Sequence, residues 1–159
     1  MVNILTRFSL LLMLCIASML ALSGALVSEY VFGLKPCVLC LYQRIPYVVV
    51  IGLGVIGLVY KSKRQLLAMI ACGVLLIGTG VAGYHVLVEK KIIIMETSCA
   101  DTVIMPDSFE AMQAQLMATP NVPCDEPQFY FLGLTMAAWN LLFSTALVGY
   151  GWWRIRYGK

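Results

Sequence analysis

Cys37-Val38-Leu39-Cys40 sets two thiols one helical turn apart where the chain enters an apolar run, and Arg44 follows four residues after the second. A C-x-x-C pair cycles between dithiol and disulfide, and a helix start favours the thiolate that performs the exchange. Cys99 and Cys124 stand in a long polar segment, whereas Cys15 and Cys72 lie well inside apolar runs and read as small buried hydrophobes. Arg44, one turn beyond Cys40, shares its helix face. Its planar cation can stabilise a Cys40 thiolate and bind the polar head of an apolar electron acceptor; the competing reading is an arginine that only snorkels to the interface. The single histidine, His85, falls near the end of another apolar run, where an imidazole can donate a hydrogen bond or a proton. Together these residues point to redox chemistry at a membrane edge.

The elements that must position them are apolar spans. Of 159 residues, 61% are hydrophobic and 12% charged, far from soluble averages. Four stretches are long enough to cross about 30 Å of hydrocarbon. They predict helices at about 8–28, 39–60, 65–88 and 128–153, with Arg44 the one charge inside the second. Lipid offers no partner for backbone polar groups, and the runs lack the alternation of barrel strands, so the spans are expected to be helical. The expected fold is an all-α membrane protein, a four-transmembrane-helix bundle forming one domain over 1–159. Arg7 before an apolar run and Ala21-Leu22-Ser23 imitate a signal peptide, but the apolar stretch is longer than a usual signal core, and the span is expected to be retained.

Charge sets the orientation. Arg7, Lys61, Lys63, Arg64, Arg154, Arg156 and Lys159, 7 of the 11 Lys and Arg, fall on one side, which the positive-inside rule makes cytoplasmic together with both termini. All eight acids fall on the other. The net charge of +3 therefore reports topology and gives no sign of a nucleic-acid partner. The cytoplasmic loop, 61–64, has no room for an active site, and the outer side receives loops at about 29–38 and 89–127. In the long periplasmic loop, Asp107 and Glu110 after Pro106 make a variant capping box, and Phe109, Met112 and Leu116 share a face. A short amphipathic helix is expected there, on the membrane surface or against the bundle.

Cys37, Cys40, Cys99 and Cys124 all map to the oxidising outer side, where two disulfides can form. Three readings are open: two structural staples, a four-thiolate zinc site, and a relay that passes electrons by thiolate attack on disulfide. The 24 residues between Cys99 and Cys124 lack the paired ligand spacing of common zinc modules, so no metal is expected. Spacing alone does not separate relay from staple.

Lys35-Pro36-Cys37-Val38-Leu39-Cys40-Leu41-Tyr42-Gln43-Arg44 closely resembles the P-C-x-L-C-x-x-Q-R signature of the disulfide bond formation protein B (DsbB) family. Ala82-Gly83-Tyr84-His85 resembles that family's third-helix histidine segment, Cys99 and Cys124 its long-loop pair, and Phe131-Leu132-Gly133-Leu134-Thr135-Met136 with Trp139 its fourth-helix opening. The resemblance covers nearly the whole chain and departs at Ala137, where the family commonly has proline, so a straighter fourth helix is expected. It implies an inner-membrane enzyme that reoxidises a periplasmic thioredoxin-fold oxidase of the DsbA type and reduces membrane quinone, ubiquinone or menaquinone. By the same resemblance Cys99 receives the partner, Cys124 completes the loop pair, Cys37 and Cys40 pass the electrons on, and Arg44 and His85 attend the quinone. DsbA-type disulfides are strong oxidants at about −120 mV, while stable structural disulfides lie below about −300 mV, so a strong terminal acceptor has to pull such a cycle. A vitamin K epoxide reductase-like enzyme is the nearest alternative, but its C-x-x-C is expected late, in the final helix. A non-catalytic membrane subunit with bracing disulfides is the other.

Overall fold

The computed structural model describes residues 2–93, 124, 125, 127 and 129–157. Four long helices, α1 (Val2–Tyr30), α2 (Val38–Val59), α3 (Arg64–Glu89) and α4 (Met136–Tyr157), account for most of them, with a 3-10 turn at Lys61–Lys63 joining α2 to α3. Three stretches, Leu10–Tyr30, Val38–Val59 and Lys61–Glu89, are long and apolar enough to cross a membrane. The fourth helix has 22 residues, about 33 Å at 1.5 Å per residue, but it carries Asn140, Ser144 and Thr145 and ends on Arg154 and Arg156, which makes it less apolar than the others. The expected surface helix around Asp107 to Leu116 lies outside the described residues.

α3 is the centre of the arrangement: it packs extensively on α2 and α4 and also meets α1, whereas α1 and α4 meet only slightly. The core runs through Leu10, Leu11 and Leu14 of α1, Tyr47 and Val50 of α2, Ala68, Ala71, Cys72 and Leu75 of α3, and Leu147 of α4. Large apolar side chains such as Val48, Ile77 and Trp152 point outward, a surface that water would not tolerate over so wide an area. Cys15 and Cys72 serve as packing residues. The sulfur of Cys15 fills the notch left by Gly54 and that of Cys72 the notch left by Gly151; a Cβ at either glycine would sit 2.6 Å from the sulfur. Gly52, Gly73 and Gly80, also in the apolar spans, face open space.

Two differences from the sequence expectation concern the last span. Rather than entering a helix at about 128, the chain forms a two-stranded antiparallel ribbon, β1 (Tyr130–Phe131) and β2 (Leu134–Thr135), with Tyr130 opposite Thr135 and Phe131 opposite Leu134. The turn residues Leu132 and Gly133 both have positive φ, 50° and 78°, the pattern of a type I′ hairpin. Among the described residues the fold is helical apart from this one small ribbon. The ribbon folds back on α4: Trp139 Nε1 donates to the Phe131 carbonyl at 2.9 Å, and the two rings pack with centroids 6.1 Å apart. Thr135 caps α4, its hydroxyl oxygen accepting the Ala138 N–H at 3.1 Å. Ala137 thus sits in the first turn, where proline would neither break a helical hydrogen bond nor bend the helix, so its replacement by alanine does not alter the helix axis.

The sulfur-in-notch packing predicts that Gly151→Ala destabilises the bundle by about 1–3 kcal/mol through overpacking. Thermal melting in detergent should show a lowered midpoint for Gly151→Ala, recovery in Gly151→Ala/Cys72→Ala, and no loss for Gly80→Ala.

Candidate redox site

The site is built at the start of α2. Pro36 holds the chain out of helix and Cys37 takes the N-cap position, with φ −74° and ψ 169°. Its sulfur does what a serine or aspartate oxygen usually does at a cap, accepting the backbone N–H of Cys40 at 3.4 Å. The three-residue spacing then brings the two sulfurs to 3.0 Å, with the Cys37 thiol donating to Cys40. Losing that proton would cost Cys37 its hydrogen bond and leave a buried charge, so its pKa is pushed up to about 12. Cys37 therefore keeps the shared proton of the pair, and Cys40 presents the accepting sulfur.

Cys124 lies against the same helix end. It is 4% exposed and packs with Cys37, Leu39 and Val88. It packs beside Cys37, and burial pushes its thiol pKa up. Three of the four cysteines singled out from sequence thus converge as free thiols; Cys99 lies outside the described residues.

His85 comes from α3 and is 2% exposed. Its Nε2 is 3.5 Å from Cys37 Sγ and 3.8 Å from Glu89 Oε1, and its Nδ1 is 2.7 Å from Gln43 Nε2. Gln43 Oε1 accepts from Asn140 Nδ2 at 2.5 Å, and Asn140 Oδ1 accepts the Tyr47 hydroxyl at 2.5 Å. The Thr135 hydroxyl donates to Glu89 Oε2 at 2.6 Å, tying the ribbon and α4 to the end of α3. Arg44 lines the same cavity as Cys40, and its guanidinium is tied to Glu29 of α1 at 2.5 Å. Both side chains of the ion pair are about one-fifth to one-quarter exposed.

Sequence reasoning missed Gln43, Asn140, Tyr47, Glu29 and Glu89 as members of the site. The usable signal was an amide in an otherwise apolar span, since a polar side chain there requires a partner on a neighbouring helix. For Glu29 the signal was hidden, because the first helix was expected to end at about residue 28 and in fact runs to Tyr30.

Glu29, Gln43, Arg44, His85, Glu89 and Asn140 form, with the thiols, the polar lining of a cavity of about 600 Å3, a size typical of small-molecule sites. Its apolar walls include Leu20, Ala21 and Ala25 of α1 and Met136 and Phe143 of α4. Cys37 Sγ, Cys40 Sγ and His85 Nε2 lie within 4.8 Å of one another, which could also suit a soft metal. The two sulfurs, 3.0 Å apart, are closer than the about 3.8 Å between two thiolates each about 2.3 Å from a tetrahedral ion. Two sulfurs this close can join as a disulfide once an oxidant removes their electrons.

A helical membrane protein with a buried dithiol at the polar end of an apolar cavity belongs to the class of membrane thiol oxidoreductases. The family model described as disulfide bond formation protein DsbB matches residues 6–153. An uncharacterised protein of Rickettsia prowazekii (strain Madrid E) is 28% identical over 86% of this chain and 81% of its own length. Disulfide bond formation protein B of Xanthomonas campestris pv. campestris (strain 8004) is 30% identical over 86% and 81%, and that of Xylella fastidiosa (strain Temecula1) 32% over 72% and 70%. The chain belongs to the DsbB family of disulfide bond formation membrane proteins.

The packing of Cys124 on Cys37 predicts a direct cross-link between them. In a Cys40→Ser/Cys99→Ser variant, mild oxidation should join Cys37 to Cys124, read as one disulfide-linked peptide pair by mass spectrometry after non-reducing digestion; recovery of both as free thiols would contradict the packing.

Proposed function

We propose that this protein is an inner-membrane thiol:quinone oxidoreductase that reoxidises a periplasmic DsbA-type dithiol oxidase and passes the electrons to membrane quinone. The observation that carries this reading is the convergence of Cys37, Cys40 and Cys124 at the polar end of an apolar cavity walled by α1 and α4. All four helices cross the bilayer in this reading, with the termini cytoplasmic and the redox cysteines periplasmic, as the bias of 7 of 11 Lys and Arg supports.

The chemistry is a series of exchanges. Cys99 accepts attack by the partner's thiolate, and the pair it forms with Cys124 is thereby reduced. Cys124, placed on Cys37, hands the two electrons to the C-x-x-C disulfide by thiolate attack, one S–S bond forming as another breaks. Reoxidation of Cys37 and Cys40 joins their sulfurs and releases two electrons and two protons. The cavity fits a quinone ring and the start of its isoprenoid chain: the walls are apolar, and Arg44 and His85 lie at the polar end beside Cys40. Bound there, a quinone supplies the two-electron, two-proton sink. Arg44 would hold a ring oxygen through its planar fork.

Anaerobic mixing of reduced protein with ubiquinone or menaquinone should bleach quinone absorbance, and Cys40→Ser should abolish the change; retained quinone reduction in Cys40→Ser would remove the enzyme reading. Arg44→Lys should raise the apparent KM for quinone about tenfold with folding unchanged, the equivalent of one charge-assisted hydrogen bond of about 1.4 kcal/mol. An unaltered KM would leave Arg44 with only its ion pair to Glu29.

A further inference from the structure

We infer that Tyr47, Asn140 and Gln43 form a directed hydrogen-bond chain that fixes the tautomer of His85, holding its proton on Nε2 so that the imidazole faces Cys37 as a donor and never as a base. The three are positioning residues: they act on the sulfur through His85. The inference rests on the redox role proposed for the dithiol and goes beyond it, because it assigns functions to residues of α2 and α4 that need not touch a reacting atom.

The sense of the chain is decided at its dithiol end. Cys37 has one proton, and that proton is directed at Cys40 across 3.0 Å. Toward His85, 3.5 Å away, the Cys37 sulfur has only lone pairs to offer, so Nε2 has to carry the hydrogen. The second neighbour of Nε2 demands the same: Glu89 Oε1, at 3.8 Å, is an acceptor, and the other oxygen of that carboxylate is already taken by the Thr135 hydroxyl. A neutral imidazole with its hydrogen on Nε2 has a bare Nδ1, which must receive a donor. Gln43 supplies it through its amide nitrogen at 2.7 Å, which turns the Gln43 carbonyl toward Asn140. Asn140 in turn donates with its nitrogen and accepts the Tyr47 hydroxyl proton with its oxygen.

Running the chain the other way would need both amides flipped and the tyrosine hydroxyl rotated. It would also aim the Nε2 lone pair at a sulfur lone pair on one side and a carboxylate oxygen on the other, in a site where His85 is 2% and Gln43 6% exposed. A buried mismatch of that kind is among the costlier errors a polar network can contain. With the proton on Nε2, His85 can donate to Cys37 sulfur as thiol, as thiolate or as half of a disulfide, so the same hydrogen bond persists through the cycle and strengthens when Cys37 bears charge.

His85 is the only histidine in the chain, so full-length reduced protein labelled with 15N-histidine in lipid nanodiscs gives one pair of ring nitrogens. The wild-type spectrum should show a protonated Nε2 and a bare Nδ1. Gln43→Glu replaces the donor facing Nδ1 with an acceptor and should move a proton onto Nδ1, as the other tautomer or as imidazolium. Tyr47→Phe, the mildest change, removes the hydroxyl that orients Asn140 and should yield a mixture of both tautomers. A wild-type proton on Nδ1, or an unchanged spectrum in both variants, would overturn the inference. No quinone is present in these samples, so protein that shows the tautomer change yet does not reduce quinone supports the chain while removing the proposed acceptor.

Discussion

Everything at this site depends on the unpaired amides at the start of α2. A helix leaves its first N–H groups without internal partners, and in an apolar setting each one left unsatisfied costs about 1–3 kcal/mol. Here one acceptor is a reacting sulfur itself: Cys37 receives the N–H of Cys40. Local folding and redox chemistry are therefore one constraint. Sulfur is a weak acceptor as a thiol and a strong one as a thiolate, so the positive end of the helix is best satisfied when charge develops on that atom.

Cys124 is buried against the same helix end although it lies far from α2 in the sequence. Its neighbours Cys37, Leu39 and Val88 form a small apolar cluster separate from the main core, at the ends of α2 and α3. Val88 lies one residue before Glu89, and Glu89 is bound by Thr135, the residue that caps α4. The loop cysteine, the ribbon and the polar residues of α3 are thus gathered on one end of the helices, leaving the opposite end to the cationic residues near Lys61 and Arg154.

Much of this was legible in the residues, and the gaps have physical causes. The limits of α2 and α3 follow the apolar runs to within one or two residues of the expectation, because a span free of charges over that length has few other options. Hydropathy failed at 130–135, where Phe131, Leu132 and Leu134 read as membrane span but fold as a ribbon; what decides there is the positive φ of Leu132 and Gly133, to which hydropathy is blind. Only Gly133 announced a turn. Arg44 and Cys40 line one cavity, whereas Glu29, the partner of Arg44, belongs to α1 and was taken for loop. That Cys124 would lie on Cys37 could not be read at all, since contacts between residues so distant in sequence are settled by packing.

The polar chain also bears on why the cavity stays open. α3 packs along both α2 and α4, but α2 and α4 hardly pack on one another, and α1 meets α4 only slightly. Close-packed helices would normally slide together to fill such a gap. What spans it is the set of hydrogen bonds from Tyr47 and Gln43 to Asn140, each 2.5 Å long and directional, so α2 and α4 are held at the length of two side chains rather than in van der Waals contact. On the far side small residues of α1, Ala21, Gly24 and Ala25, widen the space rather than filling it. An apolar substitution at Asn140 would remove the strut along with its hydrogen bonds, so the network that orients His85 is also the one that maintains the volume beside Cys40. Shape and proton placement at this site are therefore inseparable.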